Sequence, residues 1–199
     1  LMGACHTTAA PRSGQKPALT VALAGNPNCG KSALFNAFTG IRQKTGNWPG
    51  VTVERKEGRF ELEGRQVAVV DLPGIYSLDA SSLDEQVTRS YLLSREADLV
   101  VNVVDAANLE RNLYLTVQLL EMGVPMVLAL NMMDVARKRG IQIDAGLLAQ
   151  ELGCPVVPIV AVSREGTTEL KARMLAVADG HEQGGFSLAL DEVVEQAVA

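Results

Sequence analysis

Aromatic residues are scarce in this chain, at 4% of positions, and only one of them is a tryptophan. A core must therefore be assembled mainly from Val, Leu, Ile and Ala. Cysteine is sparse as well. Cys5, Cys29 and Cys154 are far apart and odd in number, which excludes a disulfide framework or a zinc-binding repeat and agrees with a reducing cytoplasm. Positive charge shows no surplus: the net charge is -5 and the pI about 5.1, which argues against nucleic acid as a partner. Long apolar runs are missing too. The longest, such as Val124–Leu130, have the length of a strand and cannot span a bilayer, so any membrane-spanning part lies elsewhere.

What is present is the composition of one globular domain: 199 residues, 47% hydrophobic and 21% charged. Residues 1–18 are polar, with scattered Pro and Gly, and read as a disordered N-terminal segment. The folded domain is expected over 19–179, followed by a glycine-rich linker at 180–185. Beyond it, Leu190, Val193, Val194, Ala197 and Val198 recur at helical spacing, with Asp191, Glu192, Glu195 and Gln196 opposite. This predicts a C-terminal amphipathic helix over 186–199. Its apolar stripe must be covered, either by the domain itself or by a second copy in a homodimer.

Within 19–179, short apolar strands alternate with stretches of helical periodicity. The strands are Leu19–Ala24, Val67–Val70, Leu99–Val104, Met126–Leu130 and Val156–Val160, and Leu113, Val117 and Leu120 show the helical spacing. Such alternation predicts an α/β fold with a doubly wound, mostly parallel sheet. Glu54–Leu62 and Arg65–Val70 are joined at Glu63-Gly64, a hairpin signal, so the expectation is six strands with one antiparallel edge strand.

The chemistry sits at strand ends. Gly25, Asn26, Pro27, Asn28, Cys29, Gly30, Lys31 and Ser32 fit G-x-x-x-x-G-K-[ST] between a strand and a helix at Ser32–Phe38, and the binding segment extends to Ala33. Backbone N–H groups of such a loop close on phosphate oxygens, Lys31 reaches the β- and γ-phosphates, and the Ser32 hydroxyl can ligate magnesium. Cys29 could be an oxidisable thiol or simply a small residue that fits. Asp71-Leu-Pro-Gly74 follows the strand Val67–Val70; Asp71 can hold magnesium through water, and the Gly74 N–H can sense the γ-phosphate. Asn131-Met132-Met133-Asp134 ends another strand. The Asp134 carboxylate can accept from the two N–H donors of guanine, which adenine does not offer, although Asn and Asp could also be helix caps. Ala161-Val162-Ser163 would place the Ala161 N–H on the guanine carbonyl.

The order of these motifs is that of P-loop NTPases with a Ras-like G domain. Longer strings are more specific: Gly25–Gly40, Gly46–Glu54, Val70–Leu78 and Asn102–Glu121 closely resemble the cytoplasmic G domain of the bacterial ferrous-iron transporters of the FeoB family. The likeness runs from about Leu19 to Asp179. It implies a GTPase, slow and potassium-stimulated, that couples or gates Fe²⁺ uptake at the cytoplasmic face of the inner membrane. Its partner would be a membrane permease domain of the same polypeptide, with 186–199 the start of a helical domain that is truncated or absent. It further implies that Thr52 ligates magnesium and that Asn28, Gly46 and Trp48 hold potassium. Asn28, Lys31, Thr52 and Gly74 then form the catalytic set. Asn28 could equally be a turn residue, and Trp48 could serve packing or a partner contact. Met132 replaces a Lys common in small GTPases, and Ile75 stands where many have a water-orienting Gln. A GTPase switch of a ribosome-assembly or tRNA-modification factor is the alternative, and a passive nucleotide sensor is a third reading.

Overall fold

The computed structural model describes residues 17–40 and 43–181. The N-terminal segment before residue 17, the linker beyond His181 and the expected helix over 186–199 lie outside the described residues. Strands β1 (Leu19–Gly25), β5 (Leu99–Asp105) and β6 (Met126–Asn131) are apolar almost throughout and buried on both faces. Burial on both faces is what permits a parallel arrangement, since helices must cover each side of the sheet.

The sheet has seven strands in the order β2-β3-β4-β1-β5-β6-β7, where β2 is Gln43–Asn47, β3 Glu54–Leu62, β4 Arg65–Asp71 and β7 Val156–Pro158. Strands β4, β1, β5, β6 and β7 run parallel, β3 is antiparallel to β4, and β2 is antiparallel to β3. The hairpin at Glu63-Gly64 is present, and both residues have positive φ as a tight primed turn requires. Two expectations are corrected. There is a seventh strand, and the antiparallel strand is second from the edge. Strand β2 escapes notice because every residue of Gln43–Asn47 is exposed. With no inward apolar position it shows no period of two, and its backbone ladder to β3 holds it in the sheet.

Alternate residues of each buried strand feed two cores. On one face Val21 and Leu23 pack with Leu34, Phe35 and Phe38 of α1 (Lys31–Thr39) and Leu170 and Met174 of α6 (Thr167–Ala178). On the other, Ala22 and Ala24 meet Tyr91 of α2 (Leu83–Ser94), Leu115 and Leu119 of α3 (Leu109–Glu121), Ala136 of α4 (Met133–Lys138) and Leu152 of α5 (Ala145–Leu152). Helix α2 starts with a complete capping box, Ser82 accepting from the Glu85 N–H and Glu85 reaching back to the Ser82 N–H. Among the described residues no helix is long and apolar enough to cross a membrane.

The cores make a direct prediction. Leu34 is fully buried, whereas Leu93 is 62% exposed. Leu34→Ala should destabilise the domain by about 3 kcal/mol and lower Tm by roughly 6–12 °C, while Leu93→Ala should stay within about 0.5 kcal/mol. Thermal unfolding of the two variants checks it.

Candidate nucleotide-binding site

The phosphate-loop motif joins the end of β1 to the start of α1, so Lys31 and Ser32 are the first residues of that helix. Gly30 has φ 93°, and a Cβ there would overlap the Asn131 side-chain nitrogen, so the loop demands glycine at this point. Lys31 lies 3.9 Å from Asp71 at the end of β4, and both side chains are nearly buried, at 11% and 9% exposure. Burial raises the Asp71 carboxyl above the usual carboxylate range, and the Lys31 ammonium opposes that shift. Asp71 Oδ1 is buried without a hydrogen-bond partner. Beyond it, the Leu72 and Ile75 N–H groups donate to Leu23 and Gly25. Gly74 is pressed against the loop, where a Cβ would stand 3.1 Å from Pro27 Cα and 3.5 Å from Lys31 Nζ. Ile75 is buried, so its side chain belongs to the core. Cys29 is buried as well, and desolvation pushes its thiol to about 11 against the pull of Lys31, which leaves it unreactive near neutral pH.

Asn131 ties three motifs together. Its Nδ2 donates to the Cys29 carbonyl at 2.9 Å, and its Oδ1 accepts from the Ala161 N–H at 2.9 Å, all within buried surroundings. The expectation that the Ala161 N–H meets guanine is therefore corrected, because Asn131 holds that N–H. Asn131 itself is positioned as a clamp on two loops, and both ends of its amide are engaged by protein. Met132 then turns left-handed at φ 62° and opens α4, placing Asp134 half-buried in the first turn. No side chain caps α4, whose N-cap is Met132, so neither Asn131 nor Asp134 serves as its cap. In the third loop, Val162 is 85% exposed and Ser163 Oγ donates to the Val160 carbonyl. Asn131→Ala should leave the Cys29 carbonyl and the Ala161 N–H unpaired, at a cost of about 2–4 kcal/mol. Urea unfolding of the nucleotide-free domain measures this.

The residues expected to hold cations fall into two groups. Asp71 and Ser32 lie at the phosphate loop, and Asn28 stands on it, exposed and at φ 63°. Gly46, Trp48 and Thr52 are engaged elsewhere. Gly46 pairs with Arg55 in the β2–β3 ladder, Thr52 is exposed, and Trp48 is buried in the core beside α2. The Trp48 carbonyl accepts from the Val51 N–H at 3.2 Å, closing a turn. Beside the loop a cavity of about 590 Å³ is lined by Asn26, Asn28, Tyr76, Asp105 and Arg111, among others. There the Arg111 guanidinium stacks on Tyr76 at 4.1 Å, and Asn26 Nδ2 donates to the Arg111 carbonyl at 3.4 Å. Sequence reasoning missed Tyr76 and Arg111. Both lie inside strings that carried the resemblance, but nothing in either string shows that they meet.

The family model described as ferrous iron transport protein B matches residues 19–174. The Fe(2+) transporter FeoB of Salmonella typhimurium strain LT2 is 58% identical over 157 residues, which is 77% of this chain and 20% of that protein; FeoB of Escherichia coli K12 is 57% identical over the same extent. The chain thus spans about a fifth of the length of these relatives. Among solved structures, the cytosolic domain of Legionella pneumophila FeoB superposes with a TM-score of 0.82 at 46% identity, covering 89% of this chain and 76% of that one. The G domain of the Thermotoga maritima FeoB iron transporter gives 0.76 at 48% identity, covering 80% of this chain and 98% of that one. With the phosphate loop, the Asn131 clamp and the parallel sheet already in place, these matches identify a P-loop GTPase fold, and the chain belongs to the FeoB family as its N-terminal G domain.

Proposed function

We propose that this domain binds GTP with magnesium and hydrolyses it to GDP and phosphate, as the nucleotide-dependent part of a longer Fe²⁺ transporter. The observation that carries the reading is the buried Lys31–Asp71 pair at the phosphate loop, in which Asp71 Oδ1 lies 3.9 Å from the ammonium and accepts no hydrogen bond. Such an oxygen beside an ammonium fits a ligand set for a hydrated divalent ion and an anionic phosphate group. Magnesium would be held by the Ser32 and Thr52 hydroxyls and, through water, by Asp71. It would supply charge neutralisation at the β- and γ-phosphates.

The loop N–H groups from Gly25 to Ala33 and the Lys31 ammonium bind and orient the phosphates, and the Gly74 N–H faces the γ-phosphate. The Asp134 carboxylate accepts from guanine, with Met132 alongside the nucleotide. Since Asn131 holds the Ala161 N–H, the contact of the third loop with the guanine carbonyl passes to the backbone of Val162 or Ser163. Ile75 has no polar group to orient water, which accords with slow turnover. Potassium would be held by Asn28, assisted by the Gly46 and Trp48 carbonyls once their segment rearranges, and would supply positive charge opposite the phosphates. The relatives are named as Fe(2+) transporters, which favours iron uptake over ribosome assembly or tRNA modification. A membrane permease part of the same polypeptide is the corresponding partner, with this domain on the cytoplasmic face of the inner membrane.

Two experiments test the assignment. The parent domain should bind GTP far more tightly than ATP, and Asp134→Asn should weaken GTP while favouring XTP; calorimetry showing equal GTP and ATP affinity would sink the guanine reading. Phosphate release should be faster in K⁺ than in Na⁺ at equal ionic strength, and Asn28→Ala should abolish the difference. Each tenfold of stimulation corresponds to about 1.4 kcal/mol of barrier. Equal rates of the parent in both salts would remove potassium from the mechanism.

A further inference from the structure

The segment between β2 and β3 carries Trp48 and Thr52, and its only large side chain is seated against Arg55 and Tyr91. Trp48 is 6% exposed, its ring meets Tyr91 of α2 edge-on with centroids 5.2 Å apart, and Tyr91 is itself 5% exposed. The Arg55 guanidinium lies over both rings, 4.4 Å from the Trp48 centroid and 5.7 Å from that of Tyr91. Glu57, two residues along the same strand face, holds Arg55 in place at 2.6 Å. Backbone bonds lock the turn above this seat, from the Trp48 N–H to the Val53 carbonyl and from the Val51 N–H to the Trp48 carbonyl. Val51 and Val53 pack on the same core, and Thr52 between them points to solvent.

We propose that Arg55 and Tyr91 restrain the Trp48–Val53 turn by holding it on α2, so that a γ-phosphate nucleotide must unseat Trp48 to engage Thr52. The proposal rests on the assignment of Thr52 to magnesium given above. Three features favour a releasable seat over permanent packing. The Trp48 indole N–H is buried without a partner, which lowers the stability of the seated state. The cation–π contact is made by a side chain that remains 24% exposed, so water can replace it. The Val51 N–H occupies one lone pair of the Trp48 carbonyl, and opening of the turn frees that oxygen fully. GDP, which offers no γ-phosphate to draw in Thr52, leaves the seat undisturbed.

Trp48 is the single tryptophan of the chain and reports its own seat. Replacing GDP by a non-hydrolysable GTP analogue with magnesium should shift its emission to longer wavelength. Arg55→Ser should raise the affinity ratio of GTP analogue to GDP by about threefold to tenfold, Tyr91→Leu should act in the same direction, and Arg55→Lys should retain most of the parent ratio. Unchanged emission in the parent overturns the proposal without relying on any variant. Ratios within twofold of the parent for Arg55→Ser and Tyr91→Leu, while Thr52→Ala still weakens binding of the analogue, overturn it alone. An unaltered analogue affinity in Thr52→Ala overturns the magnesium assignment and this proposal with it.

Discussion

The site depends on the burial of the central strands on both faces. With helices on each side and neighbours on each edge, β1, β4, β5 and β6 satisfy their backbone groups laterally, and only their ends remain open. In their registers Leu23 lies opposite Asp71, Gly25 opposite Val103, and Asp105 opposite Asn131. Because the strands are parallel, their last residues, Gly25, Asp71, Asp105 and Asn131, gather at one edge of the sheet. A slip of one residue in any register would exchange each strand's residues between the two cores and carry its terminal functional group away from the others. The precision of the site is therefore a consequence of core packing, and the loops inherit it.

Asn131 converts that shared edge into a single unit. A buried amide with both ends paired costs little, whereas its removal would strand a carbonyl and an N–H from two different loops. Gly30 completes the joint, since any larger residue would collide with the Asn131 nitrogen. The phosphate loop and the third loop are thus fixed relative to each other by one side chain. Asp134, two residues into α4, follows from the left-handed turn at Met132, a conformation of about 1–3 kcal/mol in cost that surrounding contacts must sustain.

Much of this was legible in the sequence, for identifiable reasons. The central strands announce themselves through unbroken apolar runs, and Glu63-Gly64 through turn chemistry. The motif residues Lys31, Asp71 and Asn131 meet because strand ends must meet in a parallel sheet. Strand β2 was illegible because Gln43–Asn47 buries nothing. The partner of the Ala161 N–H was hidden because a motif names a residue without naming what it bonds. The seat of Trp48 was equally hidden: Tyr91 is more than forty positions further along the chain, and only the packing of α2 on the sheet brings it to the ring. The Arg111–Tyr76 stack belongs to the same class, joining α3 to the segment after Gly74.

Among the described residues the buried side-chain atoms without a hydrogen-bond partner are Asn26 Oδ1, Trp48 Nε1, Asp71 Oδ1, Thr88 Oγ1 and Asn102 Oδ1. Asn26 lies on the phosphate loop and Asp71 faces it, whereas Trp48 is seated on α2, Thr88 lies in α2 and Asn102 in β5. Elsewhere the same fold pairs comparable groups, as in the capping box of α2. Unpaired groups in a buried setting lower stability unless something completes them, so the two at the phosphate loop link the stability of the domain to what it binds. A cation at Asp71 would relieve the desolvated carboxylate and add charge opposite the phosphates in the same step. Release of Trp48 would return its indole N–H to water while freeing a carbonyl for a second cation. The polar accounting of the free domain is therefore incomplete at the points where a nucleotide and its ions would complete it. The conformational choice of the Trp48–Val53 turn follows from that balance, because the seat it leaves is held by contacts that water can also satisfy.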